Sequence, residues 1–256
     1  MVSILACANA LSTVACGNTG APATMPNAAG AAAAGGATSG NTAGTSAAGA
    51  SATPAGTALL WDAGGFVAPE TNPFAIQGPF YFYSDCDPPS GLPCTAPDAS
   101  LLGADGKPGW SSDASKVCIK GTAVKVESGM FSAQWGAGLA LDLNSKGGEP
   151  GVPAVKGTFD LAAAGITGFA IELSGSAPGR IRINLTMPGV ADSNFVDALV
   201  PGTTTFSIAD AKQGSWVTSK TPLDPTQVEA MQFQVFTNAA AATPYDFCVD
   251  AIRALP

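Results

Sequence analysis

From Thr57 to the C-terminus, short apolar or alternating runs are broken at close spacing by Gly, Pro, Asn and Asp. Runs this short do not reach the length of a buried helix, and their period is two rather than 3.6. They read as strands: 58–61, 80–84, 116–121, 139–143, 167–173, 180–186, 203–207, 232–237 and 245–252. Alternation is cleanest in Arg180–Ile181–Arg182–Ile183–Asn184–Leu185. Its Ile and Leu side chains face one way, and Arg180, Arg182 and Asn184 face the other. Gln232–Phe233–Gln234–Val235 repeats the pattern. Residues 224–231 (DPTQVEAM) read instead as a helical turn, with Asp224 as N-cap and Pro225 at the first helical position. Many short strands with few helical stretches predict an all-β sandwich or barrel. Residues 57–256 are ample for its core.

The first part of the chain has a different texture. No Asp, Glu, Lys or Arg precedes Asp62, so the whole net charge of −8 falls on the remainder. Residues 1–16 are apolar but too short to span a bilayer, and they read as a signal peptide. The T-V-A-C-G-N context of Cys16 resembles a bacterial lipoprotein signal, in which the cysteine is lipidated after cleavage. Thr13 stands where Leu is usual, and no basic residue precedes the run. Cys7, preceded by I-L-A, is a second candidate, and a plain secretion signal is the alternative. Apart from Met25, residues 17–56 are Gly, Ala, Thr, Ser, Asn and Pro without charge or aromatics. Such a segment buries too little apolar area to offset its ordering entropy. It is expected to be a disordered tether with a reach of roughly 35 Å. The expectation is an exported protein, extracellular or an outer-membrane lipoprotein, meeting the membrane only through its lipid anchor.

The chain contains no histidine. That removes the commonest general base and the commonest zinc ligand, so an enzyme here would work with carboxylates, Tyr or Lys. The acidic balance and the lack of a Lys/Arg cluster argue against a nucleic-acid partner. Cys86, Cys94, Cys118 and Cys248 form an even set in a chain that looks exported, which indicates two disulfides. Three pairings are open. The preferred one joins Cys86 to Cys94 around a Pro-rich loop and Cys118 to Cys248 across an early and the last strand. A zinc site is the rival, but no CxxC spacing supports it.

Several segments resemble the galactose-binding-like jelly rolls of bacterial exported proteins, close to family-11 carbohydrate-binding modules and complex I intermediate-associated-protein-like domains. They are L-L-W-D-A-G (Leu59–Gly64), G-P-F-Y-F-Y-S-D (Gly78–Asp85), W-G-A-G-L-A-L-D-L-N (Trp135–Asn144), F-D-L-A-A-A-G-I-T-G-F-A-I-E-L (Phe159–Leu173) and Y-D-F-C-V-D-A-I (Tyr245–Ile252). They occur in the family's order across nearly all of residues 57–256. The resemblance implies an all-β, two-sheet antiparallel jelly-roll sandwich over residues 57–256, serving as a non-catalytic module for a polysaccharide. Alternatives are a structural or adhesion protein of the envelope and a carboxylate-dependent hydrolase or lyase. Fold by itself does not separate them.

The candidate residues follow from chemistry. Sugar rings stack their C–H faces on indole and phenol rings, which points to Trp110, Trp135 and Tyr83, with Trp61 and Trp216 assigned to the core. Arg180, Arg182, Asn184, Gln232 and Gln234 would supply hydrogen bonds to a ligand, or would be ordinary solvated positions on the other face. Asp62 and Asp250 lie near the meeting of first and last strands, where two carboxylates would hold a structural Ca²⁺. The family's D-F-E is W-D-A here, which favours two plain strand-end carboxylates. No other cofactor is expected, and no short motif singles out a catalytic carboxylate pair.

Overall fold

The fold was analysed in a computed structural model that describes residues 56–86, 92–103, 106–146, 154–177 and 180–256. Cys16, Cys7 and the expected tether lie outside the described residues. The chain runs through β1 (Thr57–Leu59), β2 (Phe66–Val67), β3 (Gly78–Ser84), β4 (Ala96–Pro97), β5 (Trp110–Asp113), β6 (Lys116–Ala123), β7 (Ala137–Asp142), β8 (Ser145–Lys146), β9 (Val155–Lys156), β10 (Gly168–Ser176), β11 (Arg180–Thr186), β12 (Asn194–Leu199), β13 (Gly202–Ser207), β14 (Ala230–Val235) and β15 (Thr243–Leu255).

Two antiparallel sheets carry the architecture. The first has the order β13-β10-β15-β6-β4, with β1 also on β15 and β5 also on β6. The second has the order β12-β11-β14-β7-β3-β2. The hairpin β8–β9 stands apart. First and last strands pair, as the jelly-roll reading requires, with Leu59 opposite Ile252.

Alternation places the core between the sheets. Phe169, Ile171 and Leu173 of β10, Val117 and Ile119 of β6, and Tyr245, Phe247, Val249 and Ile252 of β15 point inward. They meet Phe80 of β3, Leu139 and Leu141 of β7, Ile181, Ile183 and Leu185 of β11, and Met231, Phe233 and Val235 of β14. Burying side chains of this size contributes about 1.5–3 kcal/mol each. A bulge in β15 opposite Glu172/Leu173 lets the strand change phase, which is why both Val249 and Ile252 face the core.

Both preferred disulfides are present. Cys118 and Cys248 are directly opposed on β6 and β15. Their neighbours Val117, Ile119, Phe247 and Val249 face the core, so this bridge lies on the outer face of the first sheet. Cys86–Cys94 closes the loop after β3.

The helical turn expected at 224–231 is corrected. Asp224 Oδ1 accepts from Thr226 N at 2.9 Å and Thr226 Oγ1 at 2.7 Å, so the cap forms. The chain then turns only once, because Val228 bridges Phe159 and β14 begins at Ala230. A β-branched residue drawn into a bridge ends the helical path.

Burial also sets an alkaline limit. The phenols of Tyr83 and Tyr245 are held well above the usual range, first by burial and then by Tyr81 and Asp85 respectively. The folded chain then keeps protons that the unfolded chain releases above about pH 10, so stability falls as pH rises past that point. Melting followed by circular dichroism is expected to show a steep loss of Tm above about pH 10, with tyrosinate absorbance rising during unfolding rather than before it.

Candidate functional site

Register brings most of the candidate residues onto one surface. Across the second sheet, Tyr83 lies opposite Gly138, Gly138 opposite Gln234, Gln234 opposite Arg182, and Arg182 opposite Asp197. The adjacent row is Tyr81, Ala140, Gln232, Asn184 and Phe195. Their strand neighbours fill the core, so all of these side chains face outward. The polar strand faces of β11 and β14 and the tyrosines of β3 therefore share the outer face of the second sheet. Four inter-strand spacings of about 4.8 Å put β3 about 19 Å from β12.

The middle of this face is small residues covered by larger neighbours. Gly138 and Ala140 of β7 present at most a methyl group, and Ala140 is fully buried beneath its neighbours. A Cβ on Gly138 would stand 2.7 Å from Tyr83 Oη, so the glycine lets the phenol lie across the strand. Tyr83 stacks on Trp135, with centroids 5.5 Å apart and planes 23° apart. Trp135 is half-buried and comes from the loop before β7.

That loop is held on both sides of the indole. Gln134 is fully buried; its Oε1 accepts from Glu127 N at 2.8 Å and its Nε2 donates to Pro93 O at 2.8 Å. Thr237 Oγ1 donates to the Gln134 carbonyl. On the other side, Gly136 N donates to Asp85 Oδ2 at 2.9 Å, and Asp85 Oδ1 accepts from Thr95 N at 2.6 Å. Gly136 has φ +114°, and a Cβ there would run into the Val235 carbonyl, so only glycine fits. The aromatic platform is thus set before any ligand arrives.

The far side of the face carries a second aromatic group. Phe195 of β12 stacks on Trp216, with centroids 5.8 Å apart and planes 13° apart. The Arg182 guanidinium carbon lies 4.8 Å from the Phe195 centroid, 4.8 Å from Trp216 and 4.4 Å from Phe236. Three rings around one guanidinium hold it by cation–π attraction. Trp216 is 57 % exposed, and its Nε1 donates to Asp192 Oδ1 at 3.3 Å. This overturns the assignment of Trp216 to the core. Phe195 and Phe236 were also missed: the strand bearing Phe195 was not recognised, and Phe236, although in phase with Gln232 and Gln234 in the expected 232–237 strand, was not singled out.

Hydrogen bonding between these groups is uneven. Asn184 Nδ2 donates to Gln234 Oε1 at 3.2 Å, and Gln234 Nε2 donates to the Trp135 carbonyl at 3.1 Å. Those two amides tie the sheet to the platform. The Gln232 side chain has no partner among the described residues, and the buried Nε of Arg182 has none. Arg180 is exposed at the rim and pairs with Asp197 at 3.7 Å.

At the other end of β7, Lys156 Nζ sits 3.1 Å from Asp142 Oδ1 and donates to Tyr81 Oη at 3.4 Å, while Tyr81 Oη donates to Asp142 Oδ1 at 3.2 Å. Asp142 lies three strands from Asp197, and Gly138 rather than Asp142 shares the row of Asp197, so the two carboxylates are at least about 14 Å apart. Glycosidase carboxylates work at about 5–9.5 Å. The pair does not make a hydrolytic site.

Trp110 is corrected. It is 2 % exposed, paired with Ile119 of β6 on the core side. Gly103 makes room for its indole, since a Cβ there would overlap the ring. Trp61 is buried as expected, with Nε1 donating to Asp113 O at 3.0 Å. Asp62 Oδ1 accepts from Gly64 N at 2.8 Å and Phe66 N at 2.9 Å, and so caps its own turn. Asp250 Oδ1 accepts from Ser174 Oγ at 3.0 Å. Each carboxylate thus has a local hydrogen-bonding role through Oδ1. Among the described residues, the only cluster of three potential metal ligands is Asp85, Cys86 and Cys94. It does not fit a metal, because both sulfurs are in a disulfide and Asp85 is occupied by backbone donors.

The remaining outer surface is different in kind. On the first sheet Lys120 pairs with Asp98 at 3.5 Å and Asp246 at 3.8 Å, and Arg253 pairs with Glu172 at 3.5 Å. A cavity of about 790 Å³ among Ile166, Ile208, Leu223 and Pro225 holds none of the candidate residues.

No protein-family model matches the chain, and no curated protein matches it. Solved structures are similar over part of it. The N-terminal cellulose-binding domain of β-1,4-glucanase C from Cellulomonas fimi aligns over 60 % of this chain and 87 % of its own, at 14 % identity and TM-score 0.29. CtCBM11 aligns over 54 % of this chain and 84 % of its own, at 12 % identity and TM-score 0.26. An exo-β-agarase aligns over 69 % of this chain but 23 % of its own, at 10 % identity and TM-score 0.33. The sheet order defines the class of the protein as an antiparallel jelly-roll sandwich.

Proposed function

We propose that this chain is an exported, non-catalytic binding module whose ligand is a polysaccharide lying across the outer face of the second sheet. The observation that carries the proposal is the pre-set, half-exposed Trp135 indole stacked on Tyr83 at the outer face of the second sheet. A fixed aromatic ring on a polar sheet face suits a chain of flat, hydroxylated rings. Arg182 and Gln232 retain hydrogen-bonding capacity toward it, and Phe195 and Trp216 offer rings at the far end. An envelope scaffold without sugar binding would have little use for half-exposed indoles held in this way. Two disulfides fit an oxidising compartment.

The test is a glycan array with the full chain, repeated in EDTA. Binding to at least one polysaccharide is expected, at equal strength with and without the chelator, because Asp62 and Asp250 are engaged locally. Affinity is also expected to stay constant between about pH 5 and 8, the range in which a histidine would titrate. Absence of binding to every glycan would refute the proposal.

A further inference from the structure

The charged groups of the outer face are not evenly matched. Asp142 is neutralised by Lys156, and Asp197 by Arg180. Asp192, in the loop before β12, accepts from the Trp216 indole. Arg182 is left with no ion pair and no hydrogen bond among the described residues, although Asp197 is its cross-strand neighbour. A protein of net charge −8 thus holds one guanidinium without an ion pair on the far side of its candidate site.

The guanidinium is also held in a telling way. Three ring centroids lie within 4.8 Å of its carbon. Aromatic rings attract the cation but accept none of its in-plane N–H hydrogen bonds in the manner of an oxygen. Arg presents five such donors in a fixed fork that matches a planar or tetrahedral oxyanion. Burial already withdraws water from Nε, so an unfilled fork is costly here, and an anion placed against it recovers those bonds. A neutral glycan hydroxyl would satisfy one donor, whereas a carboxylate or sulfate would satisfy two together.

Resting on the polysaccharide reading above, we propose that the face selects acidic polysaccharides, with a uronate carboxylate or sulfate ester seated on the Arg182 fork. The rings then act in two ways: Trp135, backed by Tyr83, takes a sugar ring, while Phe195, Trp216 and Phe236 hold the arginine in place. The surrounding acidic surface repels acidic polymers that do not reach Arg182.

The experiment is affinity electrophoresis of the full chain in polygalacturonate, κ-carrageenan and neutral hydroxyethylcellulose. Retardation by polygalacturonate, carrageenan or both, exceeding that in the neutral gel and weakening with salt, is expected. Arg182→Lys keeps the charge but removes the fork, and it should weaken acidic binding by about tenfold or more. Asp197→Asn removes a like charge beside the bound anion and should strengthen acidic binding by about two- to fivefold. That exposed strand position carries no core packing, so this variant reports even if Arg182→Lys folds poorly. Preference for the neutral polymer, or acidic binding indifferent to both substitutions, would overturn the inference and leave the polysaccharide reading standing. Failure to bind any of the three, together with a blank glycan array, would remove both.

Discussion

Trp135→Ala is expected to lower glycan affinity by about 30-fold or more while leaving the melting temperature nearly unchanged. A half-exposed indole on a pre-set loop has the character of an interface hot spot, whose truncation costs about 2 kcal/mol or more. The fold should tolerate the loss because the anchors lie beside the indole. Gln134 and Gly136 hold the backbone through Glu127, Pro93 and Asp85, and Gln234 bonds the Trp135 carbonyl. Trp135→Phe should retain part of the binding, since a smaller ring can still stack on Tyr83. Titration calorimetry with the best glycan from the array, paired with thermal melting, separates the two readouts. Unchanged affinity in Trp135→Ala would move the site elsewhere.

The largest effect on stability is expected from removing Cys118–Cys248. The bridge joins residues 130 apart, so its loss frees a long loop in the unfolded chain. The chain-entropy relation gives about 5 kcal/mol for such a loop, against about 2–3 kcal/mol for the short loop of Cys86–Cys94. In a domain of this size that is a large share of a net stability of about 5–15 kcal/mol, and it should lower Tm by about 10–20 °C. The double variant Cys118→Ala/Cys248→Ala is expected to show this in urea and thermal unfolding while its glycan affinity stays intact, because the bridge lies on the opposite sheet. The other bridge should behave in the opposite sense. Cys94 precedes Thr95, which holds Asp85 and through it Gly136. Its removal should cost less stability but loosen Trp135 and weaken binding.

What was readable in the sequence depended on how completely each strand separated its two faces. Residues 180–186 alternate cleanly, and β11 has those bounds. Residues 194–199 do not alternate: Asn194, Val196 and Ala198 point in, while Phe195, Asp197 and Leu199 point out. With apolar residues on both faces and an asparagine facing inward, period two disappears, and with it the signal for the strand that supplies Phe195. Parity alone also left open which surface the β11 and β14 polar faces occupied. Only the pairing of β14 with both β11 and β7 puts them beside Tyr83.

The tryptophans show a different limit. Trp110 and Trp216 both lie in short glycine- and serine-containing segments, yet one is buried and the other is exposed. Their depth is decided by distant partners. Gly103 and Gly65 open a slot for Trp110, whereas Phe195 and Arg182 hold Trp216 at the surface. Neither relation is local, so neither was visible in the neighbouring residues. Trp135 was accessible to sequence reasoning because the glycine after it marked a turn rather than a strand interior.

The most direct test of the binding face uses the four indole N–H signals in a ¹⁵N–¹H correlation spectrum of the full chain. Soluble oligosaccharides, neutral and acidic, would be titrated in turn. Shifts at Trp135 and Trp216, with Trp61 and Trp110 unmoved, are the predicted result. Shifts confined to residues around the Ile166–Leu223 cavity or the Lys120 face, with Trp135 and Trp216 still, would contradict it.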